Sequence, residues 1–275
     1  VPFPDLSRNL NYLANNGSAY YEGFQLVYER RFSKGLQLLG NFTRSVCKTD
    51  NRNILNIGEG TSARAYDLAG WGGIEKDYTY CGDDVPRILH ASGIYELPVG
   101  TGKMVASNAS RPLDEFIGGW SVQGIYSLQD GFPFSIGCPV GTTADYGCYA
   151  TMVSGQKEYE HSVTSSGVQM LNPAAFAQPP LATAIGQTDF SPLGGTWNQA
   201  HGPDYDDVDL SMFKKFSFTE RVNLEFRAEA FNAINHPNFS ASFRTTNFQN
   251  PTTFGVIDGT RGASRELQLA MKLHW

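Results

Sequence analysis

Residues 265–275, RELQLAMKLHW, alternate apolar and polar side chains. Leu267, Leu269, Met271, Leu273 and Trp275 fall at every second position, and Glu266, Gln268, Lys272 and His274 fall between them. Successive side chains of a strand point to opposite sides, so this pattern describes a strand with one face in an apolar medium and the other in a polar one. A sandwich strand alternates too. A large aromatic completing the apolar row at the last position points instead to a β-barrel in a membrane, where aromatic residues gather at the interface.

Six further segments share the period of two. In GFQLVYERRF, Phe24, Leu26 and Tyr28 oppose Gln25, Glu29 and Arg31, with Val27 as the exception. The turn Ser33-Lys34-Gly35 leads into LQLLGNFTR, which predicts a hairpin. ILHASGIYEL, WSVQGIYSLQ, DVDLSMFKKF and RVNLEFRAEAF follow, the last two joined across Ser217 to Glu220. The links alternate in length: a three-residue turn, about 40 residues (Ser45 to Val85), about 20, about 75 (Asp130 to Asp206), a four-residue turn and about 33 (Asn232 to Ala263). Short periplasmic turns and long extracellular loops give a transmembrane barrel this asymmetry, whereas soluble domains rarely carry several loops so long.

With the C-terminus on the periplasmic side, Phe32, Trp120, Phe216, Phe218 and Trp275 form one expected aromatic girdle. Tyr20 or Tyr21, Phe42, Phe132 and Phe231 form the other. The expected fold is therefore all-β: an antiparallel meander of about seven strands forming part of a large transmembrane β-barrel, with long extracellular loops. The mean hydropathy of -0.31 does not oppose this, because a barrel strand shows lipid only every second residue. The net charge of -6 excludes a nucleic-acid binder, which needs a basic face.

Chemistry-bearing motifs are sparse. VGTGKM (Val99 to Met104) lacks the first glycine and the Ser or Thr of a phosphate loop. Asp204, Asp206, Asp207 and Asp209 read as a solvated strand mouth rather than a calcium site. The five histidines have no i, i+4 pair, and no nucleophile, base and oxyanion donor can be named, so no metal, cofactor or catalytic group is expected. Four cysteines fall in two local pairs within expected loops. Cys138 with Cys148 is the favoured disulfide, and Cys47 with Cys81 is the less favoured one. Glu225, Arg227 and Glu229 alternate on one strand face, where a lumen would place them against a plug or neighbouring strands.

Five strings together resemble the C-terminal barrel region of TonB-dependent outer-membrane receptors, and within them the Oar-like group with a carboxypeptidase-regulatory-like domain. They are DVPRILHASGIYELPVG (Asp84 to Gly100), SLQDGFPFSI (Ser127 to Ile136), LNPAAFAQP (Leu171 to Pro179), DVDLSMFKKFSF (Asp207 to Phe218) and FRAEAFNAINHPNF (Phe226 to Phe239). The segment Arg44-Ser45-Val46-Cys47 departs from the Trp-Ser-His-like sequence common in those receptors.

The resemblance implies a barrel of about 22 strands with an N-terminal plug. Residues 1–275 would be its C-terminal part, without plug or first strands, so that Trp275 ends the protein and Val1 does not begin it. Seven antiparallel strands also leave first and last running the same way, against closure on themselves. The implied partners are outer-membrane lipid, the missing plug and strands, TonB through the missing N-terminus, an unidentified ligand, and the barrel-assembly machinery reading Leu267, Leu269, Met271, Leu273 and Trp275. The competing expectation is a soluble β-sandwich that binds carbohydrate, with Trp71 and Trp197 as a stacking platform.

Overall fold

Seven long strands form one antiparallel sheet in the computed structural model, which describes residues 18–50, 78–137, 149–178, 198–219, 221–240, 243–246, 248 and 250–275. They are β1 (Ala19–Ser33), β2 (Leu36–Thr49), β3 (Arg87–Glu96), β4 (Trp120–Gln129), β5 (Tyr205–Ser217), β6 (Asn223–Phe231) and β7 (Glu266–His274). Each pairs with the next in chain order, and a short strand, Thr79–Tyr80, adds to the far end of β2. Among the described residues β1 and β7 have no partner on their outer edges.

The connections separate by length onto the two ends of the sheet. At one end, the turn end, Lys34 and Gly35 both take positive φ (53° and 78°), as the two central residues of a type I′ hairpin turn must. The β5–β6 turn is closed by Thr219, whose hydroxyl accepts from the amides of Arg221 and Val222 at 3.3 and 3.0 Å. The β3–β4 connection at this end carries the helix α1 (Arg111–Ile117), in which Pro112 and Asp114 suit a first turn. All three long links gather at the opposite, loop end.

Register makes one face largely apolar from β2 to β7. Leu38, Gly93, Gly124, Leu210, Ala230 and Leu267 stand side by side on β2 to β7. The next row toward the turn end runs Tyr95, Val122, Met212, Ala228 and Leu269. Gly93 faces Gly124 because Leu38 lies across it: a Cβ on Gly93 would sit 2.6 Å from Leu38 Cδ2.

The opposite face carries Gln37, Gln123, Ser211, Glu229 and Gln268 in one row, with Ile94 among them. Nearer the turn end it carries Lys215, Glu225 and Lys272. Val27, Leu39, Ile125 and Phe213 interrupt the polar side, and Lys214 the apolar one. Phe231, expected in the loop-end girdle, has the parity of Glu229 and so belongs to the polar face.

Neither face is covered by a second sheet among the described residues, which removes the sandwich. Exposed leucines, valines, methionines and aromatics stud the sheet, while the buried apolar cluster lies elsewhere. Ile136, Ala150, Leu171, Ala175, Phe176, Ala200 and Phe254 come from the long links and pack together as the core of a loop layer. Three small sheets frame it: Tyr159–Thr164, Gly167–Leu171 and Val256–Ile257; Thr151–Met152 with Phe176–Ala177; and Pro133–Phe134 with Ala200–His201. A chain that spends its buried apolar residues on its loops and leaves its main sheet bare needs an apolar solvent around that sheet.

Candidate functional site

The loop layer stands on the rim of the sheet through a small set of polar side chains. Arg87, the first residue of β3, donates from Nε to both oxygens of Asp130 at 3.0 and 2.9 Å, and its Nη2 lies 2.8 Å from Oδ1. Asp130 directly follows β4, so this ion pair clasps two neighbouring strand ends.

Asp84 is buried, accepts from the Cys47 amide and lies 3.5 Å from Nε2 of His201. The His201 ring meets Tyr80 edge-on at 4.9 Å. On the far side Asn232 and Asn238, both buried, fasten the β6–β7 link to β5. The Asn232 amide donates to Asp209 at 3.0 Å and its side chain brackets His236. The Asn238 side chain exchanges two hydrogen bonds with the Asp206 backbone, at 2.7 and 2.9 Å.

Between rim and layer opens a cleft of about 670 Å³, within the size range of small-ligand sites. Arg87, Asp130, Tyr159, His161, His201 and Asp204 supply its polar groups. The Tyr159 hydroxyl both donates to the His201 carbonyl (3.1 Å) and accepts from its amide (2.8 Å). Burial, with Glu158 adjacent, raises that phenol far above its ordinary value, so it stays a neutral hydrogen-bonding group. Burial likewise raises the Glu158 carboxyl. The cleft can hydrogen-bond a polar guest.

On the polar face, Arg227 bridges Glu225 at 3.0 Å and Glu229 at 3.3 Å, three consecutive same-face positions of β6 neutralising one another. The four aspartates at the β5 entrance do not form one cluster: within the strand Asp207 and Asp209 share a face and their side chains meet, while Asp206 has the opposite parity and Asp204 precedes the strand. The described side chains that approach metal-ligand spacing are Cys47, Cys81 and Asp83, and the two sulfurs are bonded to each other.

That disulfide is the Cys47–Cys81 pair named from the sequence, but Cys47 lies in a strand and not in the expected loop. β2 continues to Thr49, and its pairing with Thr79–Tyr80 brings the Cα atoms of Cys47 and Cys81 to 5.3 Å. Cys138 and Cys148 lie outside the described residues, as do Trp71 and Trp197.

The aromatic residues Phe32, Trp120, Phe216, Phe218 and Trp275 all stand at the turn end, and Trp275 is 90% exposed. Leu267, Leu269, Met271 and Leu273 lie exposed on the apolar face of β7, in register with Ala230, Ala228, Phe226 and Leu224. The residues that sequence reasoning passed over are the clasps Asp84, Arg87, Asp130, Asn232 and Asn238. Each lies in or beside one of the family-like strings, which was the signal available.

One open antiparallel meander, with one apolar face, one charged face and a self-contained loop layer at one end, defines the wall of a transmembrane β-barrel. The chain matches the family model described as an outer membrane beta barrel domain over residues 1–268 and belongs to that family. It is a protein of the bacterial outer membrane. No curated protein and no solved structure matches it.

Proposed function

We propose that this chain is the C-terminal part of a TonB-dependent outer-membrane receptor, with its turn end in the periplasm and its loop layer outside. The layer captures a ligand, and the charged face lines a lumen closed by a plug that further chain supplies. The observation that carries the reading is the division of labour in the sheet: the apolar rows face lipid, while the Glu225–Arg227–Glu229 ladder faces a polar interior.

Among the described residues β1 and β7 keep free outer edges, which supports membership in a larger wall. Backbone groups facing hydrocarbon must be hydrogen-bonded, and an open edge is not tolerated there. The polar groups of the cleft suit binding, which supports the receptor reading. The terminal strand, with Leu267, Leu269, Met271, Leu273 and Trp275, serves as the signal read by the barrel-assembly machinery.

The test is cross-linking of the full-length protein in energised cells. The receptor reading expects a covalent adduct with TonB. Its absence, with the protein at normal outer-membrane levels, contradicts the receptor class and leaves the barrel intact.

A further inference from the structure

Helix α1 is tied to the apolar side of the wall. Lys214 and Trp120 are paired neighbours on that face, and both reach the last turn of the helix. Lys214 Nζ donates to the Glu115 carbonyl at 2.6 Å, and Trp120 Nε1 donates to the Phe116 carbonyl at 3.0 Å. These are orphan carbonyls at a helix C-terminus, where a cation is favoured. Lys214 is only 4% exposed, and its ammonium also lies 4.9 Å from the centre of the Phe216 ring and 5.9 Å from that of Trp120. The helix thus roofs a lysine that would otherwise stand bare among apolar rows.

What the helix shows outward is apolar as well. Phe116 is 77% exposed and Leu113 49%, and Met104 and Val105 in the preceding loop are exposed beside them. Lys103, Arg111 and Glu115 are exposed along the same connection, a mixture of signs that suits zwitterionic headgroups. A segment fixed to the lipid face of a barrel, at the level of its aromatic residues, with aromatic and aliphatic side chains turned out, has the composition of an interfacial anchor.

We infer that the β3–β4 connection, residues 98–119, is a membrane anchor that lies against the phospholipid of the periplasmic leaflet, with Phe116 and Leu113 inserted at the acyl–headgroup boundary. This rests on the barrel orientation proposed above. It gives that connection a role that a tight turn would not perform: it shields Lys214 and widens the contact between wall and inner leaflet.

Photo-cross-linking in cells tests it, with p-benzoyl-phenylalanine placed in the full-length protein at position 116 and, separately, at position 210 in the middle of the apolar face. The inference expects phospholipid adducts from both. Lipid adducts at 210 with none at 116 would overturn the anchor while leaving the barrel standing. A lipopolysaccharide adduct at 116 would place the helix in the other leaflet and overturn it too. Absence of lipid at both positions would refute the lipid-facing assignment of the whole face, and the anchor with it. Lys214→Met adds an independent reading: the 116 adduct falls several-fold as the helix loses its tether, whereas the 210 adduct is unchanged. An unchanged 116 adduct in that variant contradicts the tether.

Discussion

Arg87 grips both carboxylate oxygens of Asp130 across the ends of β3 and β4, and this pair sets where the barrel wall stops and the loop layer begins. The two partners are unequal: the Arg87 side chain is about half exposed and that of Asp130 mostly buried. Asp130→Asn leaves a guanidinium that water can reach, a loss of about 1 kcal/mol. Arg87→Met strands a mostly buried carboxylate and costs about 2–3 kcal/mol. Limited proteolysis of the loop layer measures both, and Arg87→Met is expected to be cleaved faster; the reverse order contradicts the assignment.

The Cys47–Cys81 bond closes a loop of 34 residues at the rim. Removing it in Cys47→Ser/Cys81→Ser destabilises the link by roughly 3–4 kcal/mol on a chain-entropy estimate. The oxidised protein should resist proteolysis of the β2–β3 link, and reductant or the double variant should abolish that protection.

Gly255 takes φ of 62°, and a Cβ there would sit 2.4 Å from Cβ of Leu171 in the middle of the loop core. Gly255→Ala combines a left-handed backbone with a clash and should cost about 2–4 kcal/mol. The loss should appear as local opening of Gly167–Leu171 in hydrogen exchange, with the β5 and β6 amides unaffected.

Glu158 lies in the loop layer, and burial raises its carboxyl above the ordinary range. The unfolded layer therefore ionises first as pH rises. Between the unfolded and folded values the folded layer holds more protons, so stability declines across that window and is greatest below it. Protease resistance of residues 149–178 is expected to fall as pH rises through the mildly acidic range, and Glu158→Gln should flatten the profile.

Trp275 stands at the turn end with most of its surface free. If the terminal strand is the assembly signal, Trp275→Asp lowers the amount of protein in the outer membrane several-fold while Trp275→Phe preserves it. Normal levels of the aspartate variant would remove that role.

The strands were legible because alternation is a local property: DVDLSMFKKF and RVNLEFRAEAF contain their own register, and the structure pairs Leu210 with Ala230 and Met212 with Ala228 accordingly. The loop layer was not legible. Ile136, Leu171 and Phe254 meet across more than 80 residues with no period to reveal them, and the clasps depend on where three separate links return to the rim. The Cys47–Cys81 pair was legible as two cysteines, but its setting was not: β2 runs past Arg44 and carries Cys47 within a strand toward Cys81. Helix α1 had a readable signal in Ser110-Arg111-Pro112-Leu113-Asp114, a capping residue followed by Pro and an acid, but seven residues are too few to show a periodic stripe.

The central claim is that one face of the seven strands meets lipid and the other does not. Residue-by-residue photo-cross-linking along β5, in the native outer membrane, reads this directly. The account predicts lipid adducts at positions 208, 210 and 212 and none at 207, 209 and 211, a period of two. Lipid adducts without alternation, or none at any position in a protein that leaves the membrane without detergent, would contradict it.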